Sequence, residues 1–193
     1  MGWIDRIPRA GNLHIGGLYA LYQPNIVKHA GITHVLSVID FDFYELKESS
    51  EYLKSQNYTH LVIPVEDDPN ENLLQHFEQM ASFIDGALES GGGVFVHCAM
   101  GKSRSATAVV AYLMWKFGFG RDYALGVVCE GRPVCSPNPG FMEQLEVFER
   151  MLARPVGDGS GRREIYEEWL GGRFKGFFHE WEARADAATK AKL

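Results

Sequence analysis

One twelve-residue stretch, Val94 to Ser105, concentrates the residue types that could do covalent chemistry. An apolar run of Val94, Phe95 and Val96 leads into His97 and Cys98. Gly101 follows three residues later, Arg104 three after that, and a helix-forming run lies behind Ser105. Strand, loop and helix in this order can aim peptide N–H groups at one point. The amides of Ala99, Met100, Gly101, Lys102, Ser103 and Arg104 can turn inward around a tetrahedral oxyanion, and the helix N-terminus adds partial positive charge. Gly101 permits the tight turn. Arg104 can hold two oxygens through its planar fork, a geometry lysine cannot copy. The thiolate is the nucleophilic form of cysteine, and helix N-termini stabilise it. The segment is therefore expected to cradle a dianion while Cys98 attacks phosphorus in line, with Arg104 and the amides stabilising the equatorial oxygens. Ser105 is expected to hydrogen-bond the sulfur as it leaves the resulting phosphocysteine, and His97 to brace the loop.

Expelling an alkoxide also needs an acid, a contribution of roughly 10² to 10⁴ in rate. Asp67 and Asp68, just after a second apolar run, are the candidates. A nucleotide-binding loop is disfavoured, because Gly101-Lys102-Ser103 matches the end of GxxxxGKS but Val96 stands where that pattern needs glycine. Sulfur transferases and arsenate reductases also mount a loop cysteine, yet His97, Gly101, Arg104 and Ser105 together with an upstream acidic loop favour phosphate.

His97, Cys98, Gly101, Arg104 and Ser105 match HCxxGxxRS, and the chain resembles the protein tyrosine phosphatases, in particular their small dual-specificity subgroup. The resemblance extends to Ile15-Gly16-Gly17-Leu18, the run Thr33 to Ile39, Ile63 to Pro69, and Ser136 to Phe141. It implies an α/β fold of the tyrosine-phosphatase type, a mainly parallel central sheet flanked by helices. It also implies hydrolysis of phosphotyrosine and phosphoserine or phosphothreonine on protein substrates, without cofactor or metal. Aligned with the family's strand-to-acid segment, Ile63 to Asp67 selects Asp67 as the acid, which then activates water in the second step. No Trp-Pro-Asp sequence occurs, so the tyrosine-specific subgroup fits less well. Leu13 to Leu21 and Phe141 to Glu149 resemble the subgroup with a C-terminal zinc-binding domain that assists large-ribosomal-subunit assembly. That likeness implies a pre-ribosomal partner, but no cysteine follows Cys135, so the zinc-binding part is not in this chain. The alternative reading is a phosphate-dependent binding or scaffold module in ribosome assembly, with catalysis secondary.

The elements that must position these residues follow from pattern. Ile32 to Ile39 and Tyr58 to Val65 are β-branched runs bounded by turn residues, and Val94 to Val96 follows three glycines; all three are expected as buried strands. Pro24 to His29, Asn72 to Ser90, Ser103 to Phe117, Asp122 to Cys129 and Pro139 to Leu152 are expected as helices. Strands alternating with helices indicate an α/β sandwich. Pro155 to Gly161 is linker-like, dividing a catalytic body (1–153) from a tail (154–193) expected to be helical. Ile165, Trp169, Phe174, Phe177, Phe178 and Trp181 should anchor that tail on the body or on a partner. Asp40 to Ser55 is expected to be a solvated helix or loop.

Composition limits the alternatives. The 193 residues suit one main core, and 46% hydrophobic with 23% charged residues is ordinary for a folded domain. Net charge is −6; residues 1–153 carry 11 basic against 18 acidic side chains, and the tail 8 against 7. No general affinity for nucleic acid or anionic membrane is expected. The longest strongly apolar stretch, Ala106 to Trp115, is far short of a bilayer span, and the first ten residues lack the apolar run of a secretory signal. A reducing cytoplasmic or nuclear setting is expected, which also suits three cysteines without CxxC spacing. Cys129 and Cys135 read as small buried or half-buried residues. His14, His29, His34, His60 and His76 lack ligand spacing and are expected to be structural. Asn138 can either brace the site or cap the helix after it.

Overall fold

A computed structural model describes residues 2–40, 43–154 and 159–190, with no account of the side chains of 43–47 and 49. Residues 155–158 of the expected linker and Asp42 lie outside the described residues. The strands are β1 (Ile4–Arg6), β2 (Leu13–Gly17), β3 (His34–Val38), β4 (Thr59–Ile63) and β5 (Val94–Cys98). Among the described residues they form one sheet in the order β1-β2-β5-β3-β4. Every pairing is parallel except that of β1 with β2. The mainly parallel sheet is thus as expected, with β5, the strand ending at Cys98, at its centre. β1 and β2 were not legible as strands: β1 is three residues long, and β2 carries His14, Gly16 and Gly17 in five. Pairing of β2 with β5, and of β1 with β2, supplies what their propensity does not.

Side-chain alternation along β5 divides the core. Val94 and Val96 pack with α3 (Phe77–Glu89) and α4 (Arg104–Phe117), whereas Phe95 packs with Leu21, Val27 and Leu53 on the side of α1 (Pro24–His29) and α2 (Phe43–Ser55). A parallel sheet covered on both faces explains the unbroken apolar runs in β3 and β5. α4 is buried from Arg104 through Met114 and ends at Gly118, in the left-handed conformation that favours glycine. α5 (Arg121–Gly131) and α6 (Pro139–Leu152) pack around it. Phe77, Phe141 and Phe148 are completely buried, with the rings of Phe77 and Phe148 meeting edge to face at 5.1 Å.

The tail forms α7 (Ser160–Gly172) and α8 (Phe178–Lys190), both packed against α6. Ile165 and Trp181 are buried, and Trp169 donates to Glu143 at 3.2 Å. Phe177 and Phe178 are not anchors, being 75% and 51% exposed. Docking on the body is therefore realised by part of the expected set, since α7 and α8 each turn one narrow stripe toward α6.

Candidate active site

The loop between β5 and α4 has its backbone carbonyls tied outward one after another. Ala99 O accepts from Leu18 N (3.1 Å), and Lys102 O from Ser136 N (2.8 Å). Met100 O and Gly101 O accept from the guanidinium of Arg132, at 3.2 and 2.8 Å. Ser103 O accepts from Thr107 N at 2.8 Å in the first turn of α4. In a trans peptide the N–H of one residue points opposite to the C=O of the residue before it. Five outward carbonyls therefore turn the N–H groups of Met100 through Arg104 inward. Gly101 N donates to Cys98 Sγ at 3.2 Å, and Ser105 Oγ lies 3.3 Å from the same sulfur. Gly101 has φ +70°, and a Cβ there would stand 2.3 Å from the carbonyl carbon of Gly16, so the loop closes on β2 only with glycine.

Arg104 is buried at the start of α4. Its Nη1 donates to Val65 O at 3.0 Å, while its Nε, also buried, makes no hydrogen bond among the described residues and lies 3.9 Å from Asp67 Oδ2. Asp67 and Asp68, inseparable by residue type, part company here. Asp67 Oδ1 accepts from Ser103 Oγ (2.6 Å) and Asn138 Nδ2 (3.0 Å), facing the loop. Asp68 instead closes the local turn, accepting from Asn70 N at 2.7 Å. Asn138 performs both of its expected roles: its Oδ1 caps α6 through Phe141 N at 2.9 Å while its Nδ2 holds Asp67. Lys102 and Met100 stand exposed on the rim.

His97 is fully buried, stacked on Phe95. Its Nδ1 faces Cys98 O at 3.3 Å and its Nε2 faces Ser37 Oγ at 2.6 Å; Ser37 in turn meets His60 Nε2 at 2.8 Å, and His60 Nδ1 meets Ser50 Oγ at 3.2 Å. A carbonyl only accepts, so His97 carries its hydrogen on Nδ1, and the chain acquires one direction. Ser50 donates to His60, His60 to Ser37, Ser37 to His97, and His97 to the carbonyl of Cys98. Burial pushes His97 down to about 4, and burial with Lys54 nearby does the same for His60, so both rings are neutral at pH 7. His60, expected to be structural, is a member of this chain.

Arg132 is the main site residue that sequence reasoning missed. It is buried, and beyond the two loop carbonyls it donates to Asp5 Oδ2 (2.5 Å) and Gly2 O (3.3 Å). Its signal in sequence is faint, an arginine between the end of a helix at Gly131 and Pro133. Cys135 is buried and Cys129 half-buried, as expected; burial pushes the Cys135 thiol up to about 12, which keeps it unreactive at neutral pH. Among the described residues no group of three or more His, Cys, Asp or Glu side chains is placed to hold a metal ion.

A central strand ending in cysteine, a ring of inward amides and a buried arginine at a helix N-terminus define a cysteine-dependent phosphatase of the tyrosine-phosphatase fold. The family model described as dual specificity phosphatase, catalytic domain, matches residues 15–151. The chain belongs to this family and is a dual-specificity protein phosphatase. It is 41% identical over 140 residues to dual specificity protein phosphatase 1B of Arabidopsis thaliana, covering 72% of this chain and 79% of that one. It is 36% identical to tyrosine-protein phosphatase YVH1 of Saccharomyces cerevisiae, over 73% of this chain but 42% of the relative. The crystal structure of a mouse putative dual specificity phosphatase complexed with zinc tungstate superposes with a TM-score of 0.68 at 34% identity, covering 78% of this chain and 88% of that one. Among the described residues no helix is long and apolar enough to cross a membrane.

Proposed function

We propose that the chain hydrolyses phosphotyrosine and phosphoserine or phosphothreonine on proteins in two displacements at phosphorus, with Cys98 as nucleophile. The Cys98 thiolate attacks phosphorus while the bond to the leaving oxygen breaks. Asp67, whose Oδ1 already accepts two hydrogen bonds, gives that oxygen a proton from Oδ2. Arg104 and the amides of Met100 through Arg104 hold the equatorial oxygens, with the Ala99 peptide opening the loop. Water then attacks the phosphocysteine, Asp67 takes its proton, and the sulfur departs as thiolate with Ser105 donating to it, releasing inorganic phosphate. His97 holds the Cys98 carbonyl and so the strand end from which the sulfur projects.

The observation carrying this reading is the run of five outward carbonyls around a buried sulfur, an arrangement suited to an oxyanion and to little else. The test is Cys98→Ser with phosphopeptides and tungstate. Turnover should vanish and tungstate binding persist, while acid quenching of the native enzyme should trap phosphate on Cys98. Persistent turnover by the serine variant would overturn the assignment. The free thiols support a reducing cytoplasmic or nuclear setting. A second reading, resting on the resemblance of Leu13 to Leu21 and Phe141 to Glu149 to the ribosome-assembly subgroup, is a module acting on the pre-ribosomal particle with catalysis secondary; on that reading the Cys98→Ser variant retains its biological role.

A further inference from the structure

The tail holds the loop that carries Asp67, and it does so through one residue that has no part in the phosphate cradle. Asn70 forms a reciprocal pair with the Gly176 backbone: its Nδ2 donates to Gly176 O and its Oδ1 accepts from Gly176 N, both at 2.9 Å. The same Oδ1 accepts from the indole of Trp181 at 3.1 Å, and the Asn70 carbonyl accepts from Arg173 Nη2 at 2.6 Å. All four bonds come from residues 173–181, beyond the stretch 15–151 that matches the family model. The anchor is itself fixed. Trp181 is buried with its ring edge to face against Phe174 at 5.0 Å, and Arg173 lies 5.5 Å over the Trp169 ring.

Resting on the reading of Asp67 as acid and base, we infer that the tail segment 173–181 is a brace that sets the position of Asp67, and that Asn70 is the positioning residue through which it acts. The link between the two is stiff. Pro69 has a fixed φ and restricts Asp68 before it, and the Asp68 side chain closes the turn onto Asn70 N. Pro69 is also pressed on the start of α6, where a Cβ on Gly140 would stand 2.0 Å from the Pro69 carbonyl oxygen. Asp67 is tied to the phosphate loop by Ser103 and Asn138. The segment is therefore pinned at both ends with little slack between, so a shift at Asn70 reaches the carboxylate. A misplacement of about 1 Å at a reacting group is enough to lower a rate by about 10²-fold. An asparagine is required, because aspartate lacks the donor that reads Gly176 O and an apolar residue lacks both partners.

Acid assistance matters in proportion to how poor the leaving group is, which separates a displaced Asp67 from a damaged phosphate cradle. The experiment measures kcat and KM for Asn70→Ala, Trp181→Phe and Asp67→Asn with phenyl phosphate, a poor leaving group, and 4-nitrophenyl phosphate, a good one. Trp181→Phe removes the indole N–H while keeping an aromatic ring in the packing. For Asn70→Ala we expect kcat/KM, which is set by the first displacement and not by the phosphocysteine hydrolysis common to both substrates, to fall about tenfold or more on phenyl phosphate and by less than about threefold on 4-nitrophenyl phosphate; Trp181→Phe should follow with smaller losses. If Asp67→Asn shows the leaving-group dependence and neither tail-contact variant does, the brace is refuted while the acid stands. Equal losses on both substrates would make Asn70 merely structural and refute it too. A flat response in Asp67→Asn itself would remove the acid assignment, and the brace with it.

Discussion

Replacing Arg132 by lysine keeps the positive charge beside Asp5 but removes the planar fork that spans Met100 O, Gly101 O and Asp5 together. A lysine ammonium satisfying Asp5 leaves the buried Gly101 carbonyl and the partly buried Met100 carbonyl without their donor, at up to about 1–3 kcal/mol each. The sum, up to about 2–6 kcal/mol, is a large part of a typical stability of about 5–15 kcal/mol, yet leaves a folded protein at low temperature. The functional effect is separate. With those carbonyls released, the N–H groups of Gly101 and Lys102 are no longer held inward, and one properly aimed oxyanion donor is worth about 10²–10³ in kcat. Partial misorientation of two should lower kcat at least about tenfold and weaken tungstate binding in step. The assay is steady-state hydrolysis of 4-nitrophenyl phosphate and tungstate titration at 15 °C, with folding checked by circular dichroism. Asp5→Asn is the companion: it removes the carboxylate charge but leaves Arg132 bonded to the loop, so it should lower the melting temperature with much less effect on kcat. If Arg132→Lys melts lower but keeps kcat and tungstate affinity within twofold of the native values, the claim that Arg132 orients the cradle is wrong.

Asp67→Ala should reduce kcat on phosphopeptides by about 10²- to 10⁴-fold with KM little changed, whereas Asp68→Ala, which removes the turn contact to Asn70 N and loosens the link to Asp67 without removing the acid, should reduce it far less. The reverse ranking in a side-by-side kinetic comparison would transfer the acid role to Asp68. The buried histidines make stability fall on mild acidification. His97 binds its proton only near pH 4 when folded but near 6.5 when unfolded, so stabilisation is full above pH 6.5 and is lost as pH falls toward 4. For His97 alone the total is about 3 kcal/mol, at no more than about 1.4 kcal/mol per pH unit. Urea unfolding at pH 7.5, 6.0 and 5.0 should show this decline, with a shallower slope for His60→Gln; an unchanged midpoint from pH 6.5 to 5.0 would contradict neutral burial.

The sequence by itself determined which residues stand together to carry the proposed chemistry. Cys98, Gly101, Arg104 and Ser105 lie within eight consecutive residues between a strand and a helix, so their juxtaposition is local and their spacing reports it directly. For the same reason β3, β4, β5, α4 and α6 were legible from apolar pattern, down to the asparagine at the α6 cap. The resemblance to a known family, rather than residue type, chose Asp67 over Asp68, and the structure supplies a physical ground: one carboxylate faces the loop and its neighbour closes a turn. What only the tertiary structure decided is what holds the loop open and Asp67 in place. Arg132 reaches carbonyls more than thirty positions away in sequence, Ser37 links His60 to His97 across three strands, and Asn70 finds its partners more than a hundred residues on. An isolated arginine, serine or asparagine carries no pattern in a linear chain. Each acquires its role only when strand order and helix packing bring a backbone carbonyl or amide opposite it, and those long-range pairings are set by the whole core rather than by any local stretch.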